Sequence, residues 1–173
     1  DVHLAHNLKS ITTIALQWAV RRFESNVAAS AKAGRMLNMQ LTVLGSGTAV
    51  PHPKRSSAAY WLETSGGSAL LDFSVGTLGR MLAEELSWPE LDAIWISHFH
   101  LDHCGGLPPF LFGSRYADEV QGRTKPLRIF GGLGLKDLLQ GFNDLMDYKL
   151  LDQPFPLEVV EVGPLEKFEF VPG

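Results

Sequence analysis

Four side chains that can bind a metal ion stand within six consecutive residues of this sequence. His98, His100, Asp102 and His103 form the pattern H-x-H-x-D-H, directly after an apolar run that ends at Ser97. Imidazole nitrogen and carboxylate oxygen together suit borderline divalent ions such as zinc, whereas calcium and magnesium sites are mainly oxygen. The cluster therefore predicts a metal site, with zinc favoured and manganese or iron as the alternatives.

The spacing of these ligands indicates two ions rather than one. Side chains at positions i and i+2 of an extended segment project to the same side, so His98 and His100 can hold one ion. Asp102 and His103 stand where the chain turns into Gly105-Gly106, and can face a second ion beside the first. Two ions about 3.5 to 4 Å apart can hold a bridging water, lower its pKa and stabilise both attacking and leaving oxygens. We expect a hydrolytic centre with two divalent ions.

Short strands and helices must hold this cluster in place. The apolar run 93–97 is too short for a buried helix and predicts a strand covered on both faces. Residues 60–62 and 69–73, joined through Ser65-Gly66-Gly67, predict a hairpin. Further strands are expected at 41–44, 127–130, 157–162 and 168–171, and helices at 77–86, with Thr77 as its cap, and at 133–146. Strands in hairpins that then alternate with helices indicate an α/β or α+β sheet with helical cover.

Composition excludes several classes of protein. The 173 residues are 45% hydrophobic and 20% charged, with a formal charge of −4 and a mean hydropathy of +0.03. These values exclude a strongly basic nucleic-acid binder and a disordered chain. No apolar run approaches the roughly 20 residues that span a bilayer, so we expect no membrane partner. The single cysteine, Cys104, cannot form an internal disulfide, which favours a reduced cytoplasmic setting.

The charge distribution divides the chain at residue 38. Residues 1–38 carry five basic and two acidic side chains, a net charge of +3, which leaves −7 on residues 39–173. Apolar residues at helical spacing from Leu4 to Ala19 predict an amphipathic helix. An organelle transit peptide is the alternative interpretation of this segment. We therefore expect an N-terminal helix or extension at 1–38, followed by a separate domain at 39–173.

The H-x-H-x-D-H motif after a buried strand resembles that of metallo-β-lactamase-fold hydrolases. Other segments resemble the ribonuclease Z-like branch of that fold: residues 44–49 with Pro51 and Arg55, Gly106-Leu107-Pro108, and the stretch 125–131 before a helix. The resemblance covers about residues 39–171. It implies an α/β architecture, the αββα sandwich, of which residues 39–173 supply the N-terminal half.

The same resemblance implies roles for individual residues. His98 and His100 would hold one ion, and Asp102 and His103 the second. Asp102 would also take the proton from the attacking water. Asp72, which ends a predicted strand, matches an acidic position that supports the site without touching the ions.

Two departures from the family pattern narrow the expected function. Members that process transfer RNA usually carry Gly where this chain has Leu101, and the charge of −7 on residues 39–173 lacks a basic footprint for RNA. We therefore expect metal-activated water to cleave a small phosphodiester or related ester. A transfer-RNA 3′-processing endonuclease is the alternative within the enzyme class.

No histidine follows Cys104, whereas the family draws a third His, a bridging Asp and a final His from its second half. We expect an enzyme that is complete only with a missing C-terminal half, and a 173-residue chain that is inactive alone and binds metal weakly. An uncovered sheet face or edge predicts a homo-oligomer. The alternative from another class is a non-catalytic metal-binding or interaction domain that retains the fold.

Overall fold

A computed structural model describes residues 39–171; the helix and extension expected within residues 1–38 lie outside this range. Six strands are present: β1 (Met39–Gly45), β2 (Ala59–Thr64), β3 (Gly67–Leu71), β4 (Ala93–Ile96), β5 (Leu127–Gly131) and β6 (Leu157–Glu161). The helices are α1 (Thr77–Ala83), α2 (Leu101–Cys104), α3 (Leu107–Ser114) and α4 (Leu135–Asp144), with 3₁₀ turns at Trp88–Glu90, Asp118–Val120 and Leu145–Asp147. None of these helices is long and apolar enough to cross a bilayer.

The six strands form one sheet in sequence order, from β1 at one edge to β6 at the other. The first three strands are antiparallel, and the predicted hairpin is present as β2 and β3, with Thr64 opposite Gly67. From β3 to β6 the strands are parallel, and helical crossovers connect them. Parallel strands need such crossovers, because a tight turn cannot return the chain to the same end of the sheet. The expected α/β fold class is confirmed.

One face of the sheet packs against the helices and forms the main core. The strand register aligns Trp61, Leu70, Ile94 and Ile129 across β2 to β5, and each of them is almost fully buried. Helix residues close this core from the other side: Met81, Leu107, Phe110, Leu111, Leu135 and Leu139. This burial is the main favourable contribution to folding, at roughly 25 cal/mol for each Å² of apolar surface removed from water.

The opposite face of the sheet, called here the second face, carries a row of apolar side chains across all six strands. The row runs through Val43, Tyr60, Leu71, Trp95, Phe130 and Val160. At the β4 to β6 end it is covered by Phe168, whose ring stacks 5.4 Å from Trp95 and 5.1 Å from Phe130. At the other end, Leu41 and Val43 of β1 are 56% and 54% exposed. The second face is therefore covered only in part by the described residues.

The expected strand at 168–171 is wrong. The backbone turns at Leu165, where φ is 64°, and lays the following residues across the second face instead of beside another strand. Arg128 donates from Nη2 to the Phe170 carbonyl at 3.2 Å, so this contact comes from a side chain rather than from a backbone ladder. The alternation of aromatic and charged residues in this segment predicts a strand. Its rings pack onto the sheet instead, without forming a strand of their own.

Two helices differ from their expected bounds. Thr77 is the first residue of α1 rather than its cap, and its hydroxyl lies 2.9 Å from that of Ser74. The helix ends at Ala83, because Glu85 takes a left-handed conformation with φ of 54°. Similarly, α4 begins two residues after the expected start at residue 133. The reason is that Gly134 has φ of +94°, a conformation that suits glycine and interrupts a right-handed helix.

Candidate metal centre

The candidate centre lies where two adjacent parallel strands end. β3 is followed by Asp72, and β4 is followed by Ser97 and His98. The Asp72 amide donates to the Trp95 carbonyl at 2.8 Å, which extends the pairing of β3 and β4 up to the site. Clefts outside the carboxyl ends of parallel strands are the usual place for ligands in α/β sheets. The fold thus brings two segments of distant sequence to one edge of the sheet.

Helix α2 carries two of the four predicted ligands, Asp102 and His103. Backbone bonds fix this short helix against the segment after β3, because the Phe73 amide donates to the His103 carbonyl at 2.6 Å and the Gly106 amide donates to the Phe73 carbonyl at 2.8 Å. A side chain at Gly106 would meet the Ser74 carbonyl at 2.3 Å, so this close approach requires glycine. The position of α2 is therefore set by the backbone.

The structure brings the predicted ligands together. The ring of His98 lies 4.8 Å from that of His100 and 4.0 Å from that of His103, measured between centroids. The Nε2 atom of His103 is 3.4 Å from the Oδ2 atom of Asp102. Within residues 39–171, however, no three His, Cys, Asp or Glu side chains converge to hold one ion. His98 is closer to His103 than to His100, so the geometry does not separate the ligands into the two expected pairs.

Asp72 supports the cluster from behind. Its Oδ1 atom accepts from the Ser97 amide at 2.8 Å, and its Oδ2 atom accepts from the Ser97 hydroxyl at 2.9 Å. The same Oδ2 atom lies 2.6 Å from Nδ1 of His103. A carboxylate can only accept, so Nδ1 of His103 carries the proton and Nε2 is left for other partners. These contacts agree with the role expected for Asp72, which is to support the site without touching the ions.

Ser97 is the residue of this network that sequence reasoning missed. Its hydroxyl touches Asp72 and also lies 3.1 Å from Nδ1 of His98. The sequence signal for Ser97 was a polar residue at the end of a buried strand, immediately before the first predicted ligand.

The environment shifts the pKa values of two imidazoles in opposite directions. The hydrogen bond to Asp72 raises the pKa of His103, and this effect exceeds the opposing effect of burial. Burial lowers the pKa of His98, and the neighbouring imidazoles His103 and His100 lower it further. His98 therefore favours the neutral form, which is the form that binds metal ions.

The donor set fits a borderline divalent ion. Three imidazoles and one carboxylate provide the chemistry, and a carboxylate on the far nitrogen of His103 is the arrangement that orients metal-binding histidines.

A cavity of about 760 Å³ opens beside the cluster. The residues that line it include His100, Asp102, Arg55 and Ser56. The loop of residues 46–58, which carries Arg55, is held by a bond of 2.7 Å from the Gly47 amide to the Ser56 carbonyl. Ligand pockets usually measure about 300 to 1,000 Å³, so this cavity has room for a small molecule next to two of the predicted ligands.

Comparisons with known proteins agree with this fold. The family model described as "Anti-Pycsar protein Apyc1" matches residues 39–133. Ribonuclease Z of Ignicoccus hospitalis is 35% identical over 73% of this chain and 40% of its own length. Zinc phosphodiesterase ELAC protein 1 of Bos taurus is 31% identical over 74% of this chain and 34% of its own length.

Among solved structures, the metallo-beta-lactamase fold protein YhfI from Bacillus subtilis superposes with a TM-score of 0.60 and 21% identity, over 76% of this chain and 49% of that one. The expected resemblance to ribonuclease Z-like chains of the metallo-β-lactamase fold is confirmed. The chain spans less than half of the length of each of these relatives.

Proposed function

The chain belongs to the family of anti-Pycsar protein Apyc1, and from this membership we propose that it carries the metal-binding half of a metal-dependent hydrolase that uses metal-activated water to cleave a phosphodiester or related ester. The single observation that carries the proposal is that the ring of His98 lies 4.8 Å from that of His100 and 4.0 Å from that of His103, after the carboxyl end of β4 and beside an open cavity. Related proteins named ribonuclease Z and zinc phosphodiesterase support it.

The proposed ligands are His98, His100, Asp102 and His103, and the proposed cofactor is a pair of divalent ions. Zinc is favoured by the mixed nitrogen and oxygen donors, and manganese and iron are the alternatives. When bound, such ions would lower the pKa of a water and stabilise the negative charge that develops on the substrate.

In this proposal Asp102 is the catalytic base. Asp102 is one of the residues that line the cavity, and its Oδ2 atom lies 3.4 Å from Nε2 of His103. It is therefore within reach of both the substrate space and the ligand cluster. Asp102 would accept the proton of the attacking water, while Asp72 holds His103 from the opposite side.

The proposed substrate is a small phosphodiester or ester. The residues that line the cavity include Arg55, a residue type whose guanidinium can pair with a phosphate, and the hydroxyl-bearing residues Thr48, Ser56 and Ser57. The charge of −7 on residues 39–173 disfavours a long polyanion, which gains affinity from many cationic contacts. Precursor transfer RNA, cleaved in 3′ processing, is the alternative substrate, because several relatives are named ribonuclease Z.

Further ligands are needed to complete this centre. Catalytic zinc sites usually have three protein ligands, whereas two for each ion are proposed here. We propose that the others belong to a segment equivalent to the part of the relatives that this chain does not match, and that the chain alone binds metal weakly and is inactive. The second candidate, a non-catalytic metal-binding domain, is favoured by the lack of a three-ligand cluster among residues 39–171.

Two further expectations belong to this proposal. A homo-oligomer would cover the exposed apolar residues of β1 on the second face, Leu41 and Val43. A reduced cytoplasmic setting fits Cys104, which is a free, buried thiol.

A zinc titration of the chain, followed by an assay, tests the proposed function. The chain should bind zinc weakly, and His98→Ala should weaken binding further. A chimera that adds the unmatched part of the Ignicoccus hospitalis ribonuclease Z should bind zinc tightly and hydrolyse bis-p-nitrophenyl phosphate faster than precursor transfer RNA. A folded chimera that holds zinc but cleaves neither substrate would instead support the non-catalytic alternative. Circular dichroism checks the fold of each protein.

A further inference from the structure

The hydroxyl group of Ser97 lies close to Asp72 and to two imidazoles of the cluster. Its Oγ atom lies 2.9 Å from Oδ2 of Asp72, 3.1 Å from Nδ1 of His98 and 3.5 Å from Nδ1 of His103. A serine hydroxyl has one proton to donate and can accept at its lone pairs. The directions of these contacts are therefore coupled.

The carboxylate of Asp72 decides where the hydroxyl proton points. A carboxylate only accepts, so the 2.9 Å contact requires that Ser97 donates to Asp72. Charge-assisted bonds of this kind are roughly twice as strong as neutral ones, so this direction is favoured over donation to an imidazole. Because the hydroxyl proton of Ser97 is donated to Asp72, the Oγ atom of Ser97 can only accept a hydrogen bond from His98. Nδ1 of His98 must then carry a proton.

We propose that Ser97 is a positioning residue that selects the Nδ1-protonated tautomer of His98. This inference rests on the proposed metal-binding role of the cluster. Because Nδ1–H of His98 donates to Ser97, the lone pair of Nε2 is free for an ion. Asp72 imposes the same tautomer on His103 directly, through the 2.6 Å contact at Nδ1. A single carboxylate thus sets the orientation of two ligands, one by contact and one through the serine.

Ser97 is well placed for this role because its backbone is fixed independently of its side chain. The Ser97 amide donates to Oδ1 of Asp72 at 2.8 Å, so loss of the hydroxyl leaves that bond intact. Ser97→Ala should therefore change the tautomer of His98 without releasing the loop. Ser97→Thr keeps a hydroxyl and should behave as wild type.

Nitrogen-15 NMR of the metal-free chain at alkaline pH tests the inference. In the wild type, His98 and His103 should both be protonated on Nδ1. In Ser97→Ala, His98 should become a mixture of tautomers while His103 keeps its proton on Nδ1. An Nε2-protonated His98 in the wild type, or an unchanged His98 in Ser97→Ala, would overturn the proposal.

Zinc titration provides the second readout. Loss of a group that orients a ligand usually weakens metal binding by about 10 to 100-fold. Ser97→Ala should fall in this range, and Ser97→Thr should restore the affinity. Ser114→Ala is the matched control, because its buried hydroxyl donates to the Phe110 carbonyl at 2.8 Å, away from the cluster. Equal losses in Ser97→Ala and Ser114→Ala would contradict the positioning role. If the wild type binds no zinc, the proposed function fails in this chain, while the NMR result still decides the tautomer.

Discussion

Asp72 and His103 are 31 residues apart in the sequence, yet Oδ2 of Asp72 lies 2.6 Å from Nδ1 of His103. This contact joins the end of β3 to helix α2. It accounts for the raised pKa of His103 and fixes which nitrogen of that ring faces Asp102. The first prediction follows from it directly.

Asp72→Asn should lower the pKa of His103 towards its ordinary value and weaken zinc binding by about 10 to 100-fold. The amide keeps the shape of the side chain but removes the negative charge that stabilises the imidazolium. NMR titration of His103 measures the first effect, and calorimetry with zinc measures the second. Asp118→Asn, an exposed site outside the cluster, is the control. A wild-type pKa of His103 in Asp72→Asn would show that the contact is not the cause of the shift.

The same pair predicts how the stability of the metal-free chain depends on pH. A histidine whose pKa is raised by folding stabilises the folded state fully below its unfolded value of about 6.5, and the effect is lost as pH rises through the folded pKa. The free energy of unfolding of the wild type should exceed that of Asp72→Asn, and this difference should shrink as pH rises above about 6.5. Urea unfolding at several pH values measures it. An advantage that grows with pH would contradict the prediction.

His98→Ala or Asp102→Ala should remove more than ~3 kcal/mol of transition-state stabilisation from the zinc-loaded chimera. The reason is that His98 holds an ion and Asp102 both holds an ion and accepts a proton in the proposed mechanism. The ratio kcat/KM on bis-p-nitrophenyl phosphate measures the loss. His52→Ala is a control for loss of a histidine on the cavity wall outside the cluster. Activity near that of the unsubstituted chimera would exclude the assigned roles.

Gly106→Ala should destabilise the chain by about 1 to 3 kcal/mol, the usual cost of overpacking. The new methyl group would meet the backbone carbonyl of Ser74 at 2.3 Å. It would push α2 and the proposed ligands on it away from β3. Gly113→Ala in α3 is the matched control, because nothing lies within 4 Å of the added carbon. It should be neutral or stabilising, since alanine favours helices over glycine. Denaturant unfolding compares the two, and equal stabilities would refute the packing argument.

Cys104 should resist thiol reagents in the folded chain. The side chain is fully buried, and burial, followed by the charges of Asp72 and Asp102, raises the pKa of the thiol. Because the thiolate is the reactive form, modification should be slow until the chain unfolds. Absorbance with a disulfide reagent, with and without guanidinium chloride, measures this. Rapid reaction of the native chain would show that the core around Cys104 opens readily.

Leu41→Lys should reduce any self-association of the chain through β1. Leu41 is exposed on an edge strand, and a charge at such an edge disfavours pairing with a second copy. Leu145→Lys is the matched control, because Leu145 is equally exposed, at 56%, but lies outside the sheet. Sedimentation velocity distinguishes the outcomes. A wild-type monomer would contradict the expected homo-oligomer, and equal effects of both variants would exclude β1 as the interface.

The sequence by itself determined the local features of this protein. The close spacing of the proposed ligands His98, His100, Asp102 and His103, the β2–β3 hairpin and the buried strand before them all follow from patterns within about ten residues. Side-chain periodicity and turn chemistry act over that distance, and the α/β class follows from the order of the elements. The acidic position at Asp72 came from the family resemblance, without the partner that it contacts.

The tertiary structure decided the relationships between distant segments. The contact of Asp72 with His103, the place of Ser97 between two imidazoles and the cavity wall at Arg55 all depend on which strands become neighbours. It also overturned the strand at 168–171, whose aromatic residues pack onto the second face. The periodicity of apolar residues in a sequence predicts only that a residue is buried. What it is buried against depends on pairing across the sheet, and no local pattern contains that information.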